Sequence, residues 1–308
     1  VGTWAWGDRK TWGMGGYDTS LSEATIAEAW EASIDAGLTL FDTAEVYGDG
    51  ESERIIGRLL AQEPARRRSL VLATKFLPSP QKLAVKGAMR AALEASLERL
   101  GVEHVDLYQI HGPISLRSKS ALAEALAEVQ AAGLTSAVGV SNYSIAEMTK
   151  IHAELAKRGV PLASNQVEYS LLRRNPETGG LLAACGRLGV VLLAYSPIGQ
   201  GRLTGKYSAS HPPPGARGFS AHPMTEVDIV VGLLRRIGDE RQRTPSQVAL
   251  RWLIEKGAVP IPGAKTAEQA RENAGGLGWS LTPEEMAALD DAALAGTRSL
   301  GNRFWQHG

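Results

Sequence analysis

Leu38-Thr39-Leu40-Phe41-Asp42-Thr43-Ala44-Glu45-Val46-Tyr47-Gly48 sets the architecture of this chain. The apolar run 38–41 has the length of a buried strand and ends on an acid. A tyrosine follows in the turn made by Gly48 and Gly50. A carboxylate therefore stands at the carboxyl end of a strand, and a phenol on the loop beyond it. The same pattern recurs. Apolar runs lead into Lys75 and His111, and later ones into Ser141 and Asn142, into Gln166, and into Tyr195 and Ser196.

Amphipathic helical stretches separate these runs. Helices are expected over 22–36, opened by Ser22 as N-cap and closed at Gly37, and over 51–61, 82–100, 118–132, 145–158, 179–188 and 246–255. Strands are expected over 39–41, 70–74, 105–110, 137–140, 164–168, 190–194 and 259–261, with residues 1–4 as an eighth. Strict β–α alternation implies parallel strands with helical crossovers, in an open doubly wound sheet or in a barrel. Eight units over 308 residues favour an α/β fold of the (β/α)8 TIM-barrel type, whose catalytic groups gather at the C-terminal ends of many strands. No linker or shift in composition divides the chain, so residues 1–308 read as one domain. The longest irregular stretch, 208–224, contains Pro212-Pro213-Pro214-Gly215 and is either a flap over a cofactor or a passive surface loop. Val1-Gly2-Thr3-Trp4 reads as the tail of a first strand truncated at its start, which leaves room for a preceding segment, an organelle-targeting peptide included.

Composition narrows the function classes. Lys plus Arg and Asp plus Glu are equal at 33 each, which argues against nucleic acid as a partner. The longest apolar run, 190–195, is far short of a membrane span. The single cysteine, Cys185, permits no intrachain disulfide and fits a reducing, cytoplasmic setting.

Four side chains at successive strand ends suggest proton chemistry. A free phenol, with a pKa near 10, is a weak acid at neutral pH. A neighbouring Lys⁺ lowers that value, and a buried carboxylate holds the lysine charged and in place. If the four converge, Tyr47 is the acid, Lys75 and Asp42 tune it, and His111 orients or polarises a carbonyl that accepts a hydride. Taken singly, each has a plain structural role: a cap, a solvated strand end or a core histidine. A metal-dependent hydrolase would need clustered ligands at strand ends. Of the six histidines only His111 is so placed, and no metal is expected.

With these residues in view the chain resembles the aldo-keto reductases over nearly its whole length. Phe41–Tyr47 looks like the family's Asp/Tyr motif, Ala73-Thr74-Lys75 its lysine strand and Asp106–His111 its histidine strand. Gly139-Val140-Ser141-Asn142-Tyr143 and Asn165-Gln166-Val167-Glu168-Tyr169 resemble its cofactor-facing strands. The resemblance implies a nicotinamide cofactor, with Ser141, Asn142 and Gln166 holding the carboxamide and Tyr195 stacking on the ring. It places Ser196, Pro197, Ile198, Gly201, Leu203 and Lys206 along the pyrophosphate, and Gln269, Glu272 and Asn273 at the adenine and its ribose. Thr3, Trp4 and Gly263 join this set.

The glycines Gly199, Gly201 and Gly205 do not make a Rossmann fingerprint, since the third is displaced and no acidic residue follows a suitable second strand. Small residues there still let backbone N–H groups approach an anion. A helix beginning near Thr266 would point free N–H groups at a phosphate. Lys265 stands beside that start, and a cation there favours the 2′-phosphate of NADPH over NADH.

Many family members carry Trp directly after the histidine. Gly112 stands there in this chain, which predicts a wider substrate pocket, unless the aromatic lining comes instead from Trp6, Trp12, Phe76, Phe304 or Trp305, each of which has structural packing as an equal account. The start Thr3-Trp4-Ala5-Trp6-Gly7-Asp8 resembles a branch that includes pyridoxal reductase-like proteins, which suggests a planar aromatic aldehyde as the small-molecule carbonyl substrate. Potassium-channel β subunits share several of these motifs and act as partner-binding modules. They vary at the histidine position, and an intact His111 favours an enzyme.

Overall fold

The computed structural model describes residues 1–7, 21–79, 82, 84–214, 219–297 and 300–308. Among them, β1 (Leu40–Asp42), β2 (Val71–Phe76), β3 (Val105–Ile110), β4 (Thr135–Ser141), β5 (Leu162–Glu168), β6 (Val191–Tyr195) and β7 (Val259–Ile261) form one parallel sheet in chain order. Closure comes from residues 1–3. Gly2 bridges in parallel to both Asp42 and Gly263. Backbone bonds run from Asp42 N–H to the Val1 carbonyl, from Thr3 N–H to the Asp42 carbonyl and from Gly2 N–H to the Pro262 carbonyl. The expected eighth strand is thus a bridging segment that joins β1 to the end of β7 in a nearly closed barrel.

Helices α1 (Glu23–Asp35), α2 (Glu51–Gln62), α3 (Val85–Leu100), α4 (Lys119–Ala131) and α5 (Ile145–Ala156) alternate with the strands. They are followed by α6 (Asn175–Thr178), α7 (Leu181–Leu188), α8 (Met224–Arg241), α9 (Pro245–Glu255), α10 (Ala267–Ala274), α11 (Pro283–Ala292) and α12 (Leu300–Trp305). Ser22 caps α1 through the Thr25 N–H, as its position before the apolar pattern predicts. Thr244 and Thr282 open α9 and α11 with reciprocal capping boxes. Helix α8 was not in the expected alternation. Val227, Val230, Val231, Leu234 and Ile237 lie on its buried side at helical spacing, but a second helix inside the β6–β7 crossover breaks the one-strand, one-helix rhythm.

Strand periodicity builds the floor of the site. Ala73, Leu107, Leu193 and Ile261, with Leu40, Ala137 and Ala163 against them, form a small apolar cluster with one residue from each strand. This is the packed barrel interior. Two residues further on, the alternating pleat returns side chains to the same side. Asp42, Lys75, Gln109 and Tyr195 therefore form a polar layer above Leu40, Ala73, Leu107 and Leu193. Gly139 belongs to this layer, where a Cβ would lie 2.3 Å from Ser164 Oγ. Only glycine lets β5 approach β4 here, at the register shift between Val138 and Gly139. A larger cluster between strands and helices includes Trp6, Trp30, Phe41 and Trp252. Among the described residues no helix is long and apolar enough to cross a membrane.

Candidate active site

The four predicted groups converge at the C-terminal rim. Asp42 ends β1, Lys75 lies near the end of β2, His111 follows β3, and Tyr47 is on the turn after β1. Lys75 is buried and forms an ion pair with Asp42 Oδ1. Its Nζ also donates to the Thr43 carbonyl at 2.7 Å and to the Tyr47 hydroxyl at 3.2 Å. The other Asp42 oxygen accepts from Gln109 Nε2 at 3.2 Å and Gln166 Nε2 at 2.8 Å. The His111 ring meets the Tyr47 ring edge-on, with centroids 5.6 Å apart.

Burial sets the protonation states. It is the largest influence on Lys75 and pulls its pKa down, but Asp42 and Tyr47 together outweigh it, so the ammonium is held above its ordinary value. For Tyr47 burial acts upward and prevails. Lys75 pulls the phenol down and Asp42 pushes it up, and the net shift is upward. Lys75 thus lowers the phenol in the expected direction, but burial, which the sequence does not show, outweighs it. Tyr47 is a phenol kept protonated. Burial, then the Lys75 charge, hold His111 well below its ordinary value, so its imidazole is neutral.

A cavity of about 950 Å³ opens from Asp42, Tyr47 and His111 toward the N-terminus of α10. Its walls include the predicted Thr3, Trp4, Ser141, Asn142, Gln166, Tyr195, Ser196, Pro197, Ile198, Gly201, Lys206, Gly263, Lys265, Gln269, Glu272 and Asn273. Leu203 is not among them, because its side chain is fully buried in the apolar core. Gln200, Thr204, Tyr207, Phe219 and Ser246 line the cavity and were not expected. Asn142 and Ser196 have positive φ, 62° and 52°. Such strain in residues other than glycine is found where a site dictates the backbone, and a residue-by-residue reading of sequence gives no sign of it.

Several hydrogen bonds shape the groove. Ser141 Oγ donates to the Gln166 carbonyl at 2.8 Å, and Tyr195 Oη donates to Asn142 Oδ1 at 2.9 Å. Thr266 caps α10, and Gln269 Oε1 accepts from the Lys265 N–H at 2.8 Å. Glu272 accepts from Thr244 Oγ1 at 3.0 Å, and Asn273 Nδ2 donates to the Gly263 carbonyl at 3.2 Å. The donor set suits a dinucleotide. Amide side chains stand at the reacting end, and Lys206, Lys265 and a helix N-terminus stand toward the other. Two buried polar atoms on residues of this wall, His111 Nδ1 and Ser246 Oγ, have no hydrogen-bond partner among the described residues. The volume is at the upper end of the range for cofactor pockets.

Of the aromatic residues expected to line the pocket in place of a Trp after His111, Trp305 does so, and the space beside Gly112 is not left open. Trp305 fills that space: a Cβ on Gly112 would lie 2.8 Å from its indole. The Trp305 ring stands 5.3 Å from the His111 ring. Trp6 and Phe76 are buried in the core, and Phe304 is exposed. Trp12 lies outside the described residues. The end of the stretch 208–224 reaches the cavity through Phe219, whose ring is 5.6 Å from Tyr195 and 6.2 Å from Trp4.

Comparison with known proteins agrees with this geometry. The model of the aldo/keto reductase family matches residues 1–294. The chain is 37% identical to a chloroplastic pyridoxal reductase of Arabidopsis thaliana, over 99% of this chain and 85% of that protein. It is 32% identical to an L-glyceraldehyde 3-phosphate reductase of Escherichia coli (strain K12), over 89% of this chain and 84% of that protein. A glycerol dehydrogenase from Gluconobacter oxydans has a similar structure, with TM-score 0.79, 30% identity and coverage of 97% and 93%. An aldo-keto reductase from Klebsiella pneumoniae in complex with NADPH gives TM-score 0.74, 28% identity and coverage of 97% and 91%.

Proposed function

Because the chain belongs to the aldo/keto reductase family, we propose that it is an NADPH-dependent reductase of aldehydes or ketones with Tyr47 as the general acid. The observation that carries this reading is the buried chain of contacts from Asp42 through Lys75 to the Tyr47 hydroxyl, with neutral His111 beside it. Bound NADPH supplies the hydride. Asn142, Ser141, Gln166 and Tyr195 would hold its reacting end, and Lys206, Lys265 and the start of α10 its phosphates. Tyr47 keeps its proton until a carbonyl oxygen gains charge, then donates it. The Lys75 ammonium beside it stabilises the phenolate that remains. His111 is neutral, so an imidazole N–H can donate to the same oxygen without surrendering a full proton.

Lys265 supports NADPH over NADH, since it lines the cavity just before the capped start of α10. The substrate end is walled by Trp4, Val46, Leu77, Phe219 and Trp305. A planar aromatic aldehyde fits such a wall, and the pyridoxal reductase among the relatives points the same way. The complete tetrad, His111 included, favours a reductase over a partner-binding module. The test is NADPH oxidation against a panel of aldehydes that includes pyridoxal, for the wild type and Tyr47→Phe. Turnover by the wild type and its near-complete loss in the variant are expected. Full activity in the variant would overturn the assignment of the acid.

A further inference from the structure

Three consecutive residues of the C-terminal segment seat on three different parts of the site. Trp305 packs edge-on against His111. Gln306 Nε2 donates to Tyr195 Oη at 2.8 Å and to Glu168 Oε2 at 2.6 Å. The His307 N–H donates to the Asn142 carbonyl at 3.1 Å. All three lie beyond residues 1–294, the part that the family model matches. Gln306 is almost fully buried, as is Glu168. The second Glu168 oxygen accepts from Ser220 Oγ at 2.5 Å, next to the cavity residue Phe219. Glu168 thus ties together the two segments that cover the cavity.

A phenol has one proton. Tyr195 gives its proton to Asn142 Oδ1, so a third group that meets the Tyr195 oxygen must donate to it. The Gln306 amide does so. It fixes the direction of the Tyr195 hydroxyl and, through it, the Asn142 amide. We propose that Gln306 is a positioning residue for the nicotinamide-facing pair Tyr195 and Asn142, so that seating of the 305–307 strap is coupled to NADPH binding. This rests on the reading of the cavity as an NADPH site.

The test is NADPH affinity of the full chain, from quenching of tryptophan fluorescence, with thermal midpoints measured without cofactor. Wild type, Gln306→Leu, Tyr195→Phe, the double variant and the exchange Glu168→Gln with Gln306→Glu are compared. Loss of NADPH binding on the order of tenfold is expected for Gln306→Leu. Adding Gln306→Leu to Tyr195→Phe is expected to cost little more, because Gln306 acts through the hydroxyl that Tyr195→Phe already removes. The exchange restores an amide–carboxylate pair between positions 168 and 306, but a carboxylate at 306 cannot donate to Tyr195. NADPH binding is therefore expected to stay weak, and the midpoint to fall, since the buried Arg173 loses the carboxylate 3.6 Å away at position 168. If Gln306→Leu does not fold, the exchange, which is isosteric at both positions, decides the matter alone. Wild-type affinity in the exchange variant, an additive double variant, or a change under about twofold in Gln306→Leu would overturn the proposal. A wild-type chain that does not bind NADPH would overturn the cofactor reading, and this proposal with it.

Discussion

Replacing Asp42 by alanine removes the charge against which Lys75 is buried. The lysine side chain has no exposed surface and that of Asp42 is 5% exposed. After the change the ammonium keeps only the Thr43 carbonyl at 2.7 Å and the Tyr47 hydroxyl at 3.2 Å, both uncharged. Leaving one member of a buried ion pair uncompensated costs about 3–5 kcal/mol. Whole-protein stability is about 5–15 kcal/mol, so this is a large fraction of it. The reverse change, Lys75→Met, is expected to cost less. The Asp42 carboxylate would keep two amide donors, Gln109 at 3.2 Å and Gln166 at 2.8 Å. The double variant removes both charges and is expected to be more stable than the sum of the single losses implies, since uncharged replacements for a buried pair are often tolerated. Urea unfolding followed by circular dichroism gives all three values. A smaller loss for Asp42→Ala than for Lys75→Met, or strict additivity, would refute the claim that each charge is held by the other.

Four further outcomes are expected. Lys265→Ala should raise the KM for NADPH on the order of tenfold while leaving the KM for NADH nearly unchanged, and equal effects on both would remove the 2′-phosphate assignment. Gly139→Ala forces a Cβ to within 2.3 Å of Ser164 Oγ and should cost about 1–3 kcal/mol in a thermal or urea melt, whereas an unchanged melt would show that β4 and β5 can separate at no cost. Because burial, the largest effect, keeps the Tyr47 phenol above its ordinary value, the reduction rate should be level through neutral pH and fall only above about 10, and a fall beginning near neutrality would contradict it. The sign is opposite for His111, whose pKa is lowered in the folded protein. Its contribution to stability is fully present above its ordinary 6.5 and is lost as pH falls, so His111→Gln should flatten the acid side of a stability–pH curve.

The alternation of apolar runs and amphipathic stretches made the barrel legible, because a parallel β–α repeat has few ways to fold. The tetrad was legible for the same reason: strand ends in such a repeat share one rim, so Asp42, Lys75 and His111 had to be neighbours. Helix α8 was hidden by that same regularity, although its apolar spacing is plain once the stretch is read alone. Leu203 was placed on the cavity by its neighbours in sequence, but with about three residues per turn in a 3₁₀ helix the neighbours point in different directions, and it turned inward. Gln200, Phe219 and Ser246 carry no local signal, since their roles come from segments distant in sequence.

The sequence by itself therefore determined which groups stand at the barrel rim, for position along a strand and the two-residue pleat are local properties. Tertiary structure alone decided how those groups behave. Burial, which no residue carries in its name, outweighs the Lys75 charge and keeps the Tyr47 proton in place. Space left by the missing side chain of Gly112 admits Trp305 from the far end of the chain. The space that a glycine seemed to leave open is filled by an indole, because volume is shared between residues that only folding brings together.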